Sequence, residues 1–322
     1  MTAAGAVPPR LRFKVGSVVI TNLGRVVFWM TGALFSFSIS AIAIRALSRH
    51  GLSVFEILSV RSGCGIATLL LLLLLHRELR AEIFPRRMAM HLWRNSTHFV
   101  GQYLWALAVT LLPLATVFAL EFTTPMWVAI LAVPLLGERL TPARIGSVVL
   151  GILGVIVIVR PGLESFQPTA LIVLLAALVF SISLIATKRL TAHASTFAII
   201  FWMNAMQLPM ALIGGDPLFL TRLGWDALLP FVALGVVGLT SHYCLTNAFR
   251  FGDASIVVPL DFLRIPLIAL VGWALYREAL DWFVFAGAGL IICGVLWNLH
   301  AESRRHRPPA GLSPEKATAP DA

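Results

Sequence analysis

Charged side chains set inside apolar sequence mark where this chain could do chemistry. In Val257-Val-Pro-Leu-Asp-Phe-Leu-Arg-Ile-Pro-Leu267, Asp261 and Arg264 interrupt a run that is otherwise apolar from Ala254 to Leu275. Three residues apart on a helix, they share a face and reach each other. A second acid, Glu121, lies in another apolar stretch, and Arg61 lies in a third, five residues after Glu56. That spacing is poor for a pair on one helix, so Arg61 needs a partner on another. A lone charge at the centre of a bilayer costs roughly 2.5–3.5 kcal/mol on insertion scales, and such groups must face a partner or a cavity. Two acids could attract a cationic or amine-bearing group or carry a coupling proton, and Arg264 or Arg61 could hold a carboxylate. Gln102, Tyr103, Trp105, Asn204, His242, Tyr243 and Asn247 add hydrogen-bonding and stacking groups on neighbouring segments. Each has a structural alternative: an assembly ion pair, a satisfied histidine, rings that only pack.

The elements that must position these groups are membrane helices. Of 322 residues, 58% are hydrophobic and 12% charged, and the mean hydropathy of +0.88 exceeds that of soluble domains. A spanning helix takes roughly 20 apolar residues. Ten such windows recur, near 24–44, 54–75, 95–112, 114–135, 142–159, 169–187, 196–213, 226–248, 254–275 and 282–299. The expected fold is an all-α membrane protein of ten transmembrane helices. Residues 1–22 read as a cytoplasmic N-terminal segment with no cleavable signal, and 301–322, rich in Pro and Ala, as a disordered cytoplasmic tail. Cys64, Cys244 and Cys293 are odd in number and intrahelical, which suits packing rather than disulfides. Eight scattered histidines show no metal-ligand spacing, and no phosphate-binding glycine loop occurs, so neither metal nor cofactor is expected.

The formal charge of +10 does not call for nucleic acid, because the basic residues sort by membrane side. With ten crossings and the N-terminus inside, eighteen of the 25 lysines and arginines fall in inside segments, Arg94 among them. Five (Arg45, Arg49, Arg160, Arg222, Arg277) fall outside, and Arg61 and Arg264 are intrahelical. This bias places both termini in the cytoplasm.

The chain also repeats itself. Phe37–His50 aligns with Phe180–His193 at an offset of 143, with eight of fourteen positions identical. Tyr103–Val155 then aligns with Tyr243–Val295 at an offset of 140, with thirteen of 53 identical. Glu121 meets Asp261, Glu138 meets Glu278 and Gly154 meets Gly294. Repeats over 23–160 and 168–300 would hold five helices each. An odd number inverts the second copy in the membrane, an architecture of secondary transporters whose sites lie near the midplane between the copies. Pro259 and Pro266 flank the Asp261–Arg264 pair and Pro125 follows Glu121, which suits kinks there.

Leu136-Gly-Glu-Arg-Leu-Thr141 followed by Gly146, Gly151 and Gly154, with its counterpart Arg277-Glu-Ala-Leu-Asp281 followed by Gly287 and Gly294, resembles the EamA family of the drug/metabolite transporter superfamily over roughly residues 20–300. The resemblance implies a bacterial inner-membrane secondary carrier with a central cavity between its halves. Members of that family export amino acids and related metabolites, or take up solutes such as S-adenosylmethionine or riboflavin. It carries no universal catalytic signature, and Arg277 departs from the glycine usual before the glutamate. The expected partners are a small-molecule substrate, a coupling proton and the lipid bilayer. The competing classes are a polytopic enzyme acting on a lipid-linked substrate, which would need clustered acids and histidines at one membrane face, and a non-transporting scaffold.

Overall fold

The computed structural model describes residues 17–84, 87–136, 141–160, 167–191, 193–251, 257 and 260–305; side chains of 17–22, 136, 249–250 and 302–305 are left aside. Among these residues the chain is helical, with no strand. The helices are α1 (Ser17–Arg49), α2 (Val54–Leu75), α3 (Met88–Leu111), α4 (Leu114–Glu121), α5 (Thr124–Leu136), α6 (Pro142–Val159), α7 (Ala170–Leu190), α8 (Thr196–Gly214), α9 (Leu228–Phe251), α10 (Arg264–Tyr276) and α11 (Trp282–Arg305). Short 3₁₀ turns occupy Arg77–Ala81, Phe219–Arg222 and Trp225–Ala227.

Among the described residues, eight stretches are long and apolar enough to cross a bilayer, with α4 and α5 counting as one. The expected ten include two that fall short of that measure, for different reasons. Helix α10 is only 13 residues long. Helix α3 is long enough, but its first half, Met-Ala-Met-His-Leu-Trp-Arg-Asn-Ser-Thr-His, is polar. That polarity also explains a displaced boundary. The hydropathy reading starts this helix near 95 and leaves Arg94 in a cytoplasmic segment, whereas the helix begins at Met88 and buries His91, Arg94, Asn95 and His98. These side chains face α7 and α8 rather than lipid: Arg94 Nε donates to Thr187 Oγ1 (3.0 Å) and Asn95 Nδ2 to the Trp202 carbonyl (3.1 Å).

Local signals set several helix ends. Ser53 caps α2 in a reciprocal box with Glu56. Thr141 caps α6 with Pro142 in its first turn, and Ser195 caps α8.

The helices pair antiparallel. On α1 and α9, Ser36 Oγ lies 3.2 Å from Thr240 Oγ1, and Gly32 faces Cys244. On α3 and α7, Gly101 faces Phe180 and Arg94 reaches Thr187. On α2 and α8, Gly65 faces Asn204 and Gly214 faces Phe55. The tightest approach joins α6 and α11: a Cβ on Gly154 would stand 2.5 Å from the Gly287 carbonyl oxygen, and one on Gly294 2.9 Å from that of Ser147. Only glycine lets two backbones meet this closely in an apolar setting. At the offset of 140, Gly154 corresponds to Gly294 and Ser147 to Gly287, so this is one contact occurring twice. The pairs α6·α11 and α2·α8 each join corresponding helices, α4·α10 joins the first half of one broken helix to the second half of its counterpart, and α1·α9 exchanges with α7·α3. A pseudo-twofold relation therefore runs through the packing. Helix α4 lies at its centre, with Leu114, Val117, Phe118, Ala119 and Leu120 fully buried.

One end of the bundle is stitched by charge. Arg45, near the end of α1, donates to the carbonyls of Val109 and Leu112 and to Glu278, which also accepts from the Leu114 N–H at 2.9 Å. Arg45 and Arg49 lie against the Tyr276 ring at 4.8 and 4.7 Å. At the same end Arg160 pairs with Asp281, and Arg222 with Glu56 and Asp216. Glu138, the counterpart of Glu278, lies outside the described residues.

Candidate functional site

Two of the helices are broken at corresponding places. Helix α4 stops at Glu121 and α5 starts at Thr124; a helical segment ends at Asp261 and α10 starts at Arg264. At the offset of 140, Glu121, Phe122 and Thr124 fall on Asp261, Phe262 and Arg264, so the breaks coincide. Proline explains both. Pro125 and Pro266 have no N–H to give the carbonyls of Glu121 and Phe262, four residues back. Thr124 Oγ1 donates to the Glu121 carbonyl instead (2.7 Å), and the Ile265 N–H to that of Phe262 (3.1 Å). The rings of Phe122 and Phe262 meet edge to face at 4.9 Å between the two breaks. Pro259 lies outside the described residues.

The broken ends hold a charged cluster. Arg264, only 4% exposed, donates through Nη2 to Asp261, and its Nη1 lies 3.6 Å from Glu121 Oε1. Its guanidinium carbon also stands 4.2 Å from the centre of the Phe37 ring on α1. Glu121 accepts from Trp105 Nε1 on α3 at 2.8 Å. One cation thus faces two carboxylates, so the cluster carries a net negative charge when both acids are ionised.

Around His242, which also meets Phe37, the balance reverses. The Phe37 ring meets the His242 ring at 5.9 Å, and His242 Nε2 accepts from Arg61 Nη2 at 3.0 Å. Arg61 Nη1 donates to Gln102 Oε1 at 2.6 Å, while its buried Nε has no acceptor among the described residues. Behind this layer Gln207 Nε2 lies 2.9 Å from His98 Nδ1, and Arg94 Nη1 donates to Asn95 Oδ1 at 2.8 Å. Arg61 and Arg94 are each 7% exposed, and neither has a carboxylate partner among the described residues. No group of metal-ligating side chains occurs there either.

Of the side chains singled out in the sequence, Glu121, Asp261, Arg264, Trp105, Arg61, Gln102 and His242 converge here. Four stand apart. Tyr103 packs on Phe55 at 4.6 Å, and Tyr243, 58% exposed, meets Trp29 edge on at 5.6 Å. Asn247 and Asn204 spend their amides on their own helices, donating to the carbonyls of Tyr243 and Ile200, and Asn204 is further pressed against Gly65. Phe37, Arg94, Asn95, His98 and Gln207 join the cluster without having been foreseen. Most had a signal: His91, Arg94, Asn95, His98, Gln102 and Trp105 recur at three- and four-residue steps, a polar stripe down one face of α3. Phe37 opens the duplicated block.

Antiparallel membrane helices in two related halves, broken at matched positions beside buried charge, are the form of a membrane transporter. The sequence pattern of the EamA-like transporter family matches this chain twice, over residues 24–160 and 167–299, and the chain belongs to that family. It is accordingly a multi-pass membrane protein of a transporter family rather than an enzyme. A riboflavin transporter of Rhizobium johnstonii is 31% identical over 68% of this chain and 74% of its own. An S-adenosylmethionine uptake transporter of Rickettsia felis is 29% identical over 67% of this chain and 74% of its own. A solved crystal structure at 19% identity shares the fold, with a TM-score of 0.56 over 88% of this chain and 99% of that one.

Proposed function

We propose that the protein is a secondary transporter that moves a small organic metabolite across the bacterial inner membrane by alternating access. In this reading ten helical crossings form two inverted five-helix repeats, 23–160 and 168–300, with both termini in the cytoplasm. The observation that carries it is the coincidence of the two helix breaks at Glu121 and Asp261, on the pseudo-twofold relation and beside Arg264. A broken helix is tolerated at membrane depth where protein or a water-lined cavity satisfies the backbone. The antiparallel pairing of corresponding helices supports the inversion.

In the transport cycle Glu121 and Asp261 attract the cationic part of the solute or a coupling proton, Arg264 keeps the two acids together, and Phe37 and Trp105 offer apolar and ring surface. The named relatives make S-adenosylmethionine and riboflavin the first solutes to try, with amino acids beside them. The test is uptake of these labelled solutes into liposomes containing the purified protein, with and without an imposed pH gradient. Saturable uptake that falls at least tenfold in Asp261→Asn is expected. Saturable uptake untouched by both Asp261→Asn and Glu121→Gln would remove the acids from the mechanism, and the absence of saturable uptake in either direction would sink the carrier reading.

A further inference from the structure

Arg61, like Arg94 behind it, meets no carboxylate among the described residues. Arg264 faces two carboxylates, whereas the groups on Arg61, Gln102 and His242, carry no formal charge when the imidazole is neutral. Arg94 stands one layer behind, likewise without a carboxylate among the described residues, so the second cation adds to the field instead of cancelling it. Asp261 and Glu121 are already engaged by Arg264, which lies over the Phe37 ring. An arginine buried at membrane depth is expensive to keep ionised, and buried charges are ordinarily paired. A guanidinium in this setting also presents a planar fork suited to a carboxylate, and the buried Nε of Arg61 has no acceptor among the described residues.

We infer that Arg61, flanked by Gln102 and His242, is the carboxylate-coordinating residue of the transport site, and that the transported solute is a zwitterion whose carboxylate lies on Arg61 while its cationic group faces Asp261 and Glu121. This rests on the carrier reading above and narrows its substrate class. The two poles are linked through the Phe37 and His242 rings, Arg264 lying over Phe37 and Arg61 bonded to His242. The sites of opposite sign also select against neutral solutes, which would leave Arg61 buried and unpaired.

Two measurements test this. The first needs no knowledge of the solute: heat stability of the purified protein in detergent, titrated with acetate or with its neutral isostere acetamide at matched ionic strength, for the wild type and Arg61→Gln. Saturable protection by acetate but not acetamide is expected, at least tenfold weaker in Arg61→Gln, with the unliganded variant as stable as the wild type or more so because a charge without a counter-ion has been removed. The second is uptake into liposomes of S-adenosylmethionine against its decarboxylated form, and of neutral riboflavin. The carboxylated solute should be preferred at least tenfold, and Arg61→Gln should erase the preference. No acetate protection, protection that survives in Arg61→Gln, or a marked loss of stability in the unliganded variant overturns the inference and makes Arg61 structural. Arg61-dependent acetate protection without uptake of any solute keeps the anion site and sinks the carrier reading; uptake of riboflavin undiminished in Arg61→Gln does the reverse.

Discussion

Arg264 is held by two acids, so the loss of one should cost far less than the loss of both. After Asp261→Asn the guanidinium keeps Glu121 at 3.6 Å and an amide oxygen in place of the carboxylate. What is lost is part of one charge-assisted hydrogen bond, worth about 1.5–3 kcal/mol when the partner disappears altogether; about 1–2 kcal/mol is expected. Glu121→Gln removes the longer contact, and Trp105 can still donate to the amide oxygen, so about 1 kcal/mol is expected. In the double variant Arg264 is buried among neutral amides and the ring faces of Phe37, Phe118 and Phe122. Leaving a buried charge alone costs about 3–5 kcal/mol, and the ring contacts, already present in the native protein, offset none of it. The double variant should then lose about 3–5 kcal/mol, at least about 1 kcal/mol more than the two single losses together at the middle of these ranges. Reversible unfolding in mixed micelles, titrated with dodecyl sulfate and followed by tryptophan fluorescence, gives the cycle. Losses that add within about 0.5 kcal/mol would refute the picture of one cation shared between two acids.

Two further expectations follow from the packing and from the charged end. Gly154→Ala places a Cβ 2.5 Å from the Gly287 carbonyl and should destabilise by about 1–3 kcal/mol, as overpacking does; Gly289→Ala, with nothing within 4 Å, should be neutral or gain up to about 1 kcal/mol, and equal effects in the same unfolding assay would contradict the contact. Glu278→Gln takes the counter-charge from Arg45 while leaving its two carbonyl acceptors. The thiol of Ser48→Cys, which lines a cavity with Arg45, Arg49 and Glu278 at the end of α1, in a background lacking Cys64, Cys244 and Cys293, should then react several-fold faster with a membrane-impermeant maleimide; an unchanged rate would mean that the ion pair does not hold that end shut.

The duplicated block and the glycine matches made the relation between the halves readable, because they constrain backbone approach whichever way the helices face. The charged residues were readable for a similar reason: Asp261 and Glu121 stand out against apolar neighbours and align with one another. Facing was harder. Helices apolar on every side give no moment to show which polar group looks inward, and Tyr243 and Asn247, one and five residues after His242 on the same helix, point elsewhere. The start of α3 was obscured by its own function in packing, since a hydropathy window discards the turns that carry His91 and Arg94. The breaks after Glu121 and Asp261 were only half visible, as prolines that could equally have bent a continuous helix.

The charged end and the central cluster also bear on each other. Arg45 ties α1, the α3–α4 turn and the Glu278 segment through three acceptors at once, so a solute reaching the centre from that end must release them together. The pair is nearly closed to solvent, with side chains 9% and 15% exposed, so it lacks the screening that makes surface pairs weak. Hydrogen bonds to charged groups at about 1.5–3 kcal/mol each put the lock near the roughly 5.5 kcal/mol that turns a 1:99 population into 99:1. Opening must then draw on free energy released elsewhere, and a binding-competent centre supplies it by interacting differently with solute in the two states. An unpaired Arg61 suits that role, being costly in the empty protein and relieved once a carboxylate arrives, so the same residue that selects the solute would couple its arrival to release at Arg45.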